Sequence, residues 1–217
     1  MLNFVKNIKG MGLTVDTVFD IGAWNGNWSR AAKKELPWAN FILFEANPAY
    51  KNVLDSTGFR NFCGTVLSNP GRSIVDFYNG TNTGDSYYKE TTVVYDNQKP
   101  IQLECKTLDD FVKEYNLPIP NFIKIDTQGS ELDILAGASF LDQVDLIYTE
   151  LPIVCYNKGA PNLQDYLEFF KQHRFVPIEV FEKHYADNIL IQMDIMFMRH
   201  EAKERIIGPT QFIRPFQ

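Results

Sequence analysis

Val18-Phe19-Asp20-Ile21-Gly22-Ala23-Trp24-Asn25-Gly26 is the stretch on which the reading of this chain turns. Val18, Phe19 and Ile21 form an apolar run, Asp20 sets a charge inside it, and Gly22 and Gly26 break it into a turn. A short run of β-branched and aromatic residues closed by glycine reads as a buried strand opening into a loop. In open α/β sheets ligands bind outside the carboxyl ends of the strands, so an acid there faces a crevice. Glycine supplies positive φ and removes the Cβ atoms that would hold a ligand away from the backbone. The spacing is Asp-x-Gly-x-x-x-Gly. A dinucleotide fingerprint needs Gly-x-Gly-x-x-Gly, and Trp24 occupies its second glycine. A tight strand-to-helix turn with no ligand would carry the same residues, so both readings stand on this stretch alone.

Two further strands end in the same way. Phe41-Ile42-Leu43-Phe44-Glu45-Ala46-Asn47-Pro48 closes on Glu45, and Pro48 then opens a helix with φ already set. In nucleotide-binding sheets an acid at that position accepts hydrogen bonds from both ribose hydroxyls. Phe122-Ile123-Lys124-Ile125-Asp126-Thr127-Gln128-Gly129-Ser130-Glu131 repeats the design with Asp126. Three acid-ended strands on one sheet edge suit a ligand with cationic and diol groups. S-adenosylmethionine, with an ammonium, a sulfonium and a ribose, is such a ligand.

Outward from these motifs, apolar runs alternate with amphipathic segments in a βαβ rhythm, which predicts a mostly parallel sheet covered on both faces. The expected strands are Thr17–Ile21, Phe41–Glu45, Phe62–Leu67, Phe122–Asp126, Leu146–Glu150, Phe175–Phe181 and Ile189–Arg199. The expected helices are Asn27–Glu35, Ala49–Ser56, Leu108–Tyr115, Glu131–Ala136 and Asn162–His173. Between 71 and 106 the rhythm shortens to Ser73–Tyr78, Thr91–Tyr95 and Ile101–Cys105, with turns at Asn79-Gly80 and Thr83-Gly84. That segment reads as a hairpin-rich insertion whose aromatic residues either line a pocket or pack on one another.

At 217 residues the chain is read as one domain, 1–217, large enough to bury a core without disulfides. Cys63, Cys105 and Cys155 are scattered and odd in number, which predicts free thiols in a reducing, cytoplasmic setting. Lys6 and Lys9 are followed by no leader-like apolar segment, and no run of 18 apolar residues predicts a membrane span. A net charge of −6 with no basic stripe argues against nucleic acid as a partner. The oligomeric state is not written in the sequence.

Asp20-Ile-Gly-Ala with Gly26, Phe44-Glu45-Ala-Asn-Pro48, Thr107-Leu108-Asp109-Asp110, Ile123 to Glu131, Tyr148-Thr-Glu150, Tyr156, Phe175 and Gln192-x-Asp194-x-x-Phe197 together resemble the FkbM-type S-adenosylmethionine-dependent methyltransferases. The resemblance runs from about Val15 to His200. It implies a class I methyltransferase fold: a Rossmann-like three-layer α/β sandwich whose seven-stranded, mostly parallel sheet ends in an antiparallel strand. It also implies S-adenosylmethionine as cofactor and O-methylation of a hydroxyl on a sugar, glycan or secondary metabolite. The alternative is a cofactor-binding module on the same fold that has lost turnover. The chain departs from the family at Trp24, where Asn is frequent, and at Gln128, where Glu is frequent. Trp24 is read either as a cover for the sulfonium or as an aromatic lid on the neighbouring helix.

The cofactor residues expected on this reading are Asp20, Gly22, Ala23, Trp24, Asn25 and Gly26 in the first loop, and Glu45, Ala46 and Asn47 in the second. Val66, Leu67 and Ser68 are expected beside the adenine, and Asp126 at the reacting end. A neutral hydroxyl must lose a proton to become a nucleophile, so a carboxylate within reach is expected to help. Asp126, Glu131 and Glu150 are the candidates. Glu131 also suits the first turn of a helix, and His184 reads as a lone histidine near a loop. No metal site is expected. Asp126, Glu150 and Asp194 have the oxygens for Mg²⁺, which is possible but not favoured, because sequence spacing does not establish that they converge.

Overall fold

The computed structural model describes Val5, Ile8 and residues 12–80, 84–93 and 97–207, the last three by backbone alone. Lys6, Lys9, Thr83 and Tyr95 lie outside the described residues, and with them part of the expected Thr91–Tyr95 strand.

The opening run becomes β1 (Thr17–Ile21), buried along its whole length. It pairs in parallel with β2 (Asn40–Glu45) on one side and with a later strand, Phe122–Ile125, on the other. Strands buried on both faces need continuous apolar runs, as these have. Gly26, at φ 73°, ends the first loop and starts α1 (Asn27–Glu35), whose Lys33 and Lys34 stand in its last turn, where cations suit the helix dipole. Asn47 caps the next turn, Pro48–Tyr50, by accepting from the Ala49 amide. The α2 helix (Lys51–Asp55) follows. The expected helix Ala49–Ser56 is thus a 3₁₀ turn run into a shorter α-helix.

One expected strand, Phe62–Leu67, is two. β3 (Arg60–Cys63) lies at the edge of the main sheet beside β2, and Gly64, at φ 95°, turns the chain out of it. β4 (Val66–Leu67) then joins a small second sheet with β5 (Ile74–Phe77) and β6 (Ile101–Lys106). β5 and β6 form an antiparallel pair, extended by a bridge between Tyr78 and Ser86. Residues 91–93 form no strand.

The main chain path resumes with α3 (Leu108–Tyr115), started by a capping box of Thr107 and Asp110. β7 (Phe122–Ile125), α4 (Glu131–Ala136), β8 (Leu146–Pro152) and α5 (Leu163–Gln172) follow. The chain closes with β9 (Phe175–Ala186), β10 (Ile189–Arg199) and α6 (His200–Ile207). The strand order is β3-β2-β1-β7-β8-β10-β9, and β10 alone runs antiparallel to both its neighbours. β9 is longer than the expected Phe175–Phe181. Asp187 and Asn188 both take positive φ, 47° and 67°, which closes a two-residue hairpin and carries the pairing out to Ala186↔Ile189. His184 therefore sits on a strand and not in a loop.

The sheet separates two cores. Phe19, Ile21, Ile42 and Ile123 face one of them, with residues of α3, α4 and α5; Val18, Leu43 and Phe122 face the other, with residues of α1 and α2. By the two-residue period of a strand, Asp20 and Lys124 share the second face with Val18 and Phe122. β1 connects outward to β2 on one side and has β7 on the other, so the sheet splits at its carboxyl edge between β1 and β7, the place where such sheets take ligands.

Candidate active site

A cavity of about 290 Å³ opens at that split. Its walls come from the first loop (Gly22 to Asn25), the β2 end (Glu45, Ala46), the turn at Tyr50, β4 (Val66, Leu67), the insertion (Phe77, Asp85, Tyr87) and the β7 end (Lys124, Asp126, Thr127). Asp194 and Glu182 of the closing hairpin complete it.

The first loop is tied to β2 by backbone bonds from Gly22 and Ala23 to the Phe44 carbonyl, at 2.9 and 3.0 Å. Glu45 clamps it further. Its Oε2 accepts from the Trp24 amide at 2.6 Å and its Oε1 from the Asn47 amide at 2.8 Å. A carboxylate oxygen takes two such bonds, so each retains a lone pair toward the cavity. Burial pushes the Glu45 carboxyl up to about 7, against the pull of these two amides. The folded state therefore holds a proton that the unfolded chain, at 4.5, has lost. The contribution is present below pH 4.5 and is lost as pH rises through 7, a change of about 3 kcal/mol by proton linkage. We expect the ligand-free protein to melt several degrees lower at pH 8 than at pH 5, and Glu45→Gln to remove part of that difference, the buried carboxyl of Glu150, also pushed up, carrying the rest. Equal pH dependence in the two proteins, followed by calorimetry, would refute it.

Asp20 is fully buried behind the loop and lines no part of the cavity surface. Its Oδ2 accepts from Ser29 Oγ of α1 at 2.6 Å. Oδ1 stands 3.3 Å from the Lys124 ammonium, which does not close a hydrogen bond on it. Lys124, on the strand position paired with Asp20, donates instead to the Gly22 carbonyl at 2.9 Å and lies 3.6 Å from Asp126. Burial alone would lower its pKa, but Asp20 and Asp126 outweigh that and hold it raised, so the side chain is an ammonium. Lys124 was missed as a site residue. A lysine inside an otherwise apolar strand was the signal, since a buried charge needs a partner.

Gly22 has a different reason from the one its place in the loop suggests. A Cβ there would lie 1.9 Å from the Asp126 carbonyl oxygen, so glycine is demanded by the backbone of β7 rather than by room for a ligand. Gly26, unlike Gly22, is not on the cavity wall; a Cβ there would meet Leu43, Leu54 and Thr57 at the start of α1. Asn47 is buried, donating to Asp85 at 2.7 Å. Ser68 is buried at 3.3 Å from the Tyr87 hydroxyl, behind Val66 and Leu67. Ala23, Asn25 and Ala46 are on the wall. Trp24, φ 48°, meets Tyr50 edge-on at 6.2 Å and is partly exposed above the cavity.

The three carboxylates considered for acid–base work are in different states. Asp126 faces the cavity, with 43% of its side chain exposed, and accepts from Gln128 Nε2 at 3.2 Å. Glu131 is spent on the loop before α4: its oxygens accept from the Thr127 amide at 2.7 Å, the Gly129 amide at 2.9 Å and the Tyr166 hydroxyl. It reaches a smaller pocket, not the main cavity. Glu150 also lies in that smaller pocket and accepts at Oε1 from the amides of Gln128, at 3.1 Å, and Gln192. Burial, then the like charges of Asp126, Glu131 and Asp194, push its carboxyl up to about 9. Burial and those like charges thus favour its protonated form.

Known proteins place this geometry. The family model described as "Methyltransferase FkbM domain" matches residues 20–177. The 2-O-methyltransferase NoeI of Sinorhizobium fredii (strain NBRC 101917 / NGR234) is 27% identical over 152 residues, 61% of this chain. That match spans 62% of the relative's own length. Among solved structures, an O-methyltransferase from Bacillus cereus in complex with SAH superposes with a TM-score of 0.51 at 11% identity, over 91% of this chain and 80% of that one. EvdMO1 superposes with a TM-score of 0.50 at 10% identity, over 94% of this chain and 42% of that one. At those identities the two structures attest the fold. By the extent of the family match, over most of its length and all of the β1, β2 and β7 strand ends, this chain belongs to the methyltransferase FkbM domain family.

Proposed function

We propose that the chain is an S-adenosylmethionine-dependent methyltransferase acting on a hydroxyl of a sugar, glycan or secondary metabolite. The observation that carries this is one cavity at the ends of three neighbouring strands, walled by Glu45, Asp126 and, as the one ammonium among the described lining residues, Lys124, with Asp20 buried behind it on Lys124. The residues fit the cofactor. Once ionised, Glu45 has one free lone pair on each oxygen for the two ribose hydroxyls, and Lys124 suits the carboxylate of an amino-acid arm. Val66, Leu67 and Phe77 offer an apolar wall for a base.

When bound, the cofactor supplies a methyl group on a sulfonium whose positive charge is lost in the transfer. The chain's own part is then positioning and proton handling. Glu45 fixes the ribose and, through the Trp24 amide, the loop beside it. Asp20 holds Lys124 upright, so the ammonium is set before any ligand arrives. Orientation of this kind is worth up to ~7–11 kcal/mol in favourable systems. Asp126, exposed to the cavity and steadied by Gln128, takes the proton of the acceptor hydroxyl. The hydroxyl class is supported by the relative NoeI, a 2-O-methyltransferase by name.

Calorimetric titration with S-adenosylhomocysteine tests the cofactor. We expect binding by the folded wild-type protein, and at least tenfold weaker binding by Glu45→Gln, because a neutral amide accepts fewer and weaker bonds than a carboxylate. Folded protein that binds neither S-adenosylmethionine nor its product would end this reading. Methyl transfer to a panel of hydroxylated acceptors then tests the second half.

A further inference from the structure

Three strands that lie side by side, β8, β10 and β9, bring three metal-ligating side chains together, and one of these, Asp194, lines the cavity. Glu150 of β8, Asp194 of β10 and His184 of β9 bring a carboxylate oxygen, a carboxylate oxygen and an imidazole nitrogen within 4.8 Å of one another. Glu150 and Asp194 are direct cross-strand partners, and His184 is paired with Gln192, two residues along from Asp194 on the same face. Two carboxylates set directly opposite across an antiparallel ladder repel when both are ionised, so the pair keeps a proton or takes a cation between its members. Lys124, the one ammonium of the cavity wall, is spent on Asp20, Asp126 and Gly22. Among the described ion pairs, Asp194 has only His184, at 3.7 Å, and Glu150 has none.

The surrounding bonds also prepare these groups. The Tyr148 hydroxyl donates to Asp194 Oδ2 at 2.5 Å, which turns Oδ1 toward His184. The amides of Gln128 and Gln192 both hold Glu150 through Oε1 and leave Oε2 outside those bonds. Outer hydrogen bonds that fix one oxygen of a carboxylate and free the other are how proteins orient metal ligands. Asp194 lies on the wall of the main cavity and Glu150 on that of the smaller pocket, so the cluster stands between the two.

We propose that Glu150, His184 and Asp194 form a divalent-cation site at the acceptor end of the cavity. An imidazole with two carboxylates suits a first-row ion such as Mn²⁺ better than Mg²⁺, which prefers oxygen alone. Three protein ligands leave the rest of the coordination sphere for water or for an acceptor's oxygens, which favours an acceptor with two adjacent hydroxyls. That acceptor role rests on the methyltransferase reading; the cation site itself does not.

The test is titration of the full chain with Mn²⁺, followed by the electron paramagnetic resonance signal of the free ion. One Mn²⁺ bound per chain is expected, with at least tenfold weaker binding in His184→Ala and Asp194→Asn and a Mn²⁺-dependent rise in melting temperature in the wild type alone. His184 is partly exposed, so its alanine variant is expected to fold, checked by circular dichroism. No bound Mn²⁺ at millimolar ion, or equal binding by folded His184→Ala, overturns the site. S-adenosylhomocysteine calorimetry on the same samples keeps the two ideas apart: failure of the wild type there removes the cofactor reading and leaves the Mn²⁺ result standing.

Discussion

Replacing Lys124 with methionine is expected to cost this protein about 3–5 kcal/mol of stability, the usual penalty for stripping one partner from a buried ion pair. Methionine roughly matches the volume of the aliphatic stem, so packing changes little and the loss is electrostatic. Asp20 is left with no accessible surface and only Ser29 as a partner. The Gly22 carbonyl loses its donor as well, and with it the first loop loses its tie to β7. For a chain of this size the melting temperature should fall by roughly 10 °C, since each kcal/mol moves it by about 2–4 °C. The pH dependence identifies the cause. In the variant Asp20 has its carboxyl raised by burial without the opposing pull of the ammonium, so its folded pKa lies above the unfolded one. Stability from that group is present below the unfolded carboxylate range and is lost as pH rises through the folded pKa, so the deficit against wild type should shrink in acid. Adding Asp20→Asn removes the stranded charge and should restore much of the loss at neutral pH. A double variant no more stable than Lys124→Met, measured by thermal melts, would show that packing and not charge was removed.

Gly22→Ala is expected to be of similar size for a different reason. The added methyl would lie 1.9 Å from the Asp126 carbonyl oxygen, and that oxygen belongs to backbone at the end of β7. The two atoms nearer than 3.0 Å, the carbonyl carbon and oxygen of Asp126, are both backbone and cannot turn aside as a side chain would. Left-handed backbone at φ 73° adds about 1–2 kcal/mol for any residue with a Cβ, and forcing strand ends apart adds about 1–3 kcal/mol. Gly58→Ala is the matched control: its φ is 76° and a Cβ there meets nothing within 4 Å. The control pays the backbone term and not the clash. We expect Gly22→Ala to melt at least 5 °C below Gly58→Ala; melting temperatures within about a degree of each other would show that the β1–β7 approach is looser than described.

These two expectations show where the sequence is readable and where it is not. β1, α1, α3, α4 and β10 begin and end where the apolar runs and caps say, because strand burial and the capping box at Thr107 are local signals. Phe62–Leu67 reads as one strand because nothing local says that Gly64 turns Val66 and Leu67 toward a second sheet. The closing hairpin is longer than the periodicity suggests because Asp187-Asn188 supplies two left-handed residues, a cue as local as any other once it is noticed. The same holds for Lys124, a charge in an apolar run.

The sequence by itself determined that acids end three strands and that a glycine loop follows the first. These are properties of chain order, periodicity and backbone freedom, and the family resemblance rests on them. Only the tertiary structure decided which carboxylate does what. Asp20 is sealed behind the loop with Lys124, Glu45 faces the cavity, Asp126 is exposed to it, and Glu131 is consumed by Thr127, Gly129 and Tyr166. Residues equally acidic in sequence differ here because a carboxylate's state depends on burial and on neighbours brought from elsewhere in the chain. The meeting of Glu150, His184 and Asp194 has the same origin: strand order and register put three distant residues at one point, and no spacing in the sequence encodes that.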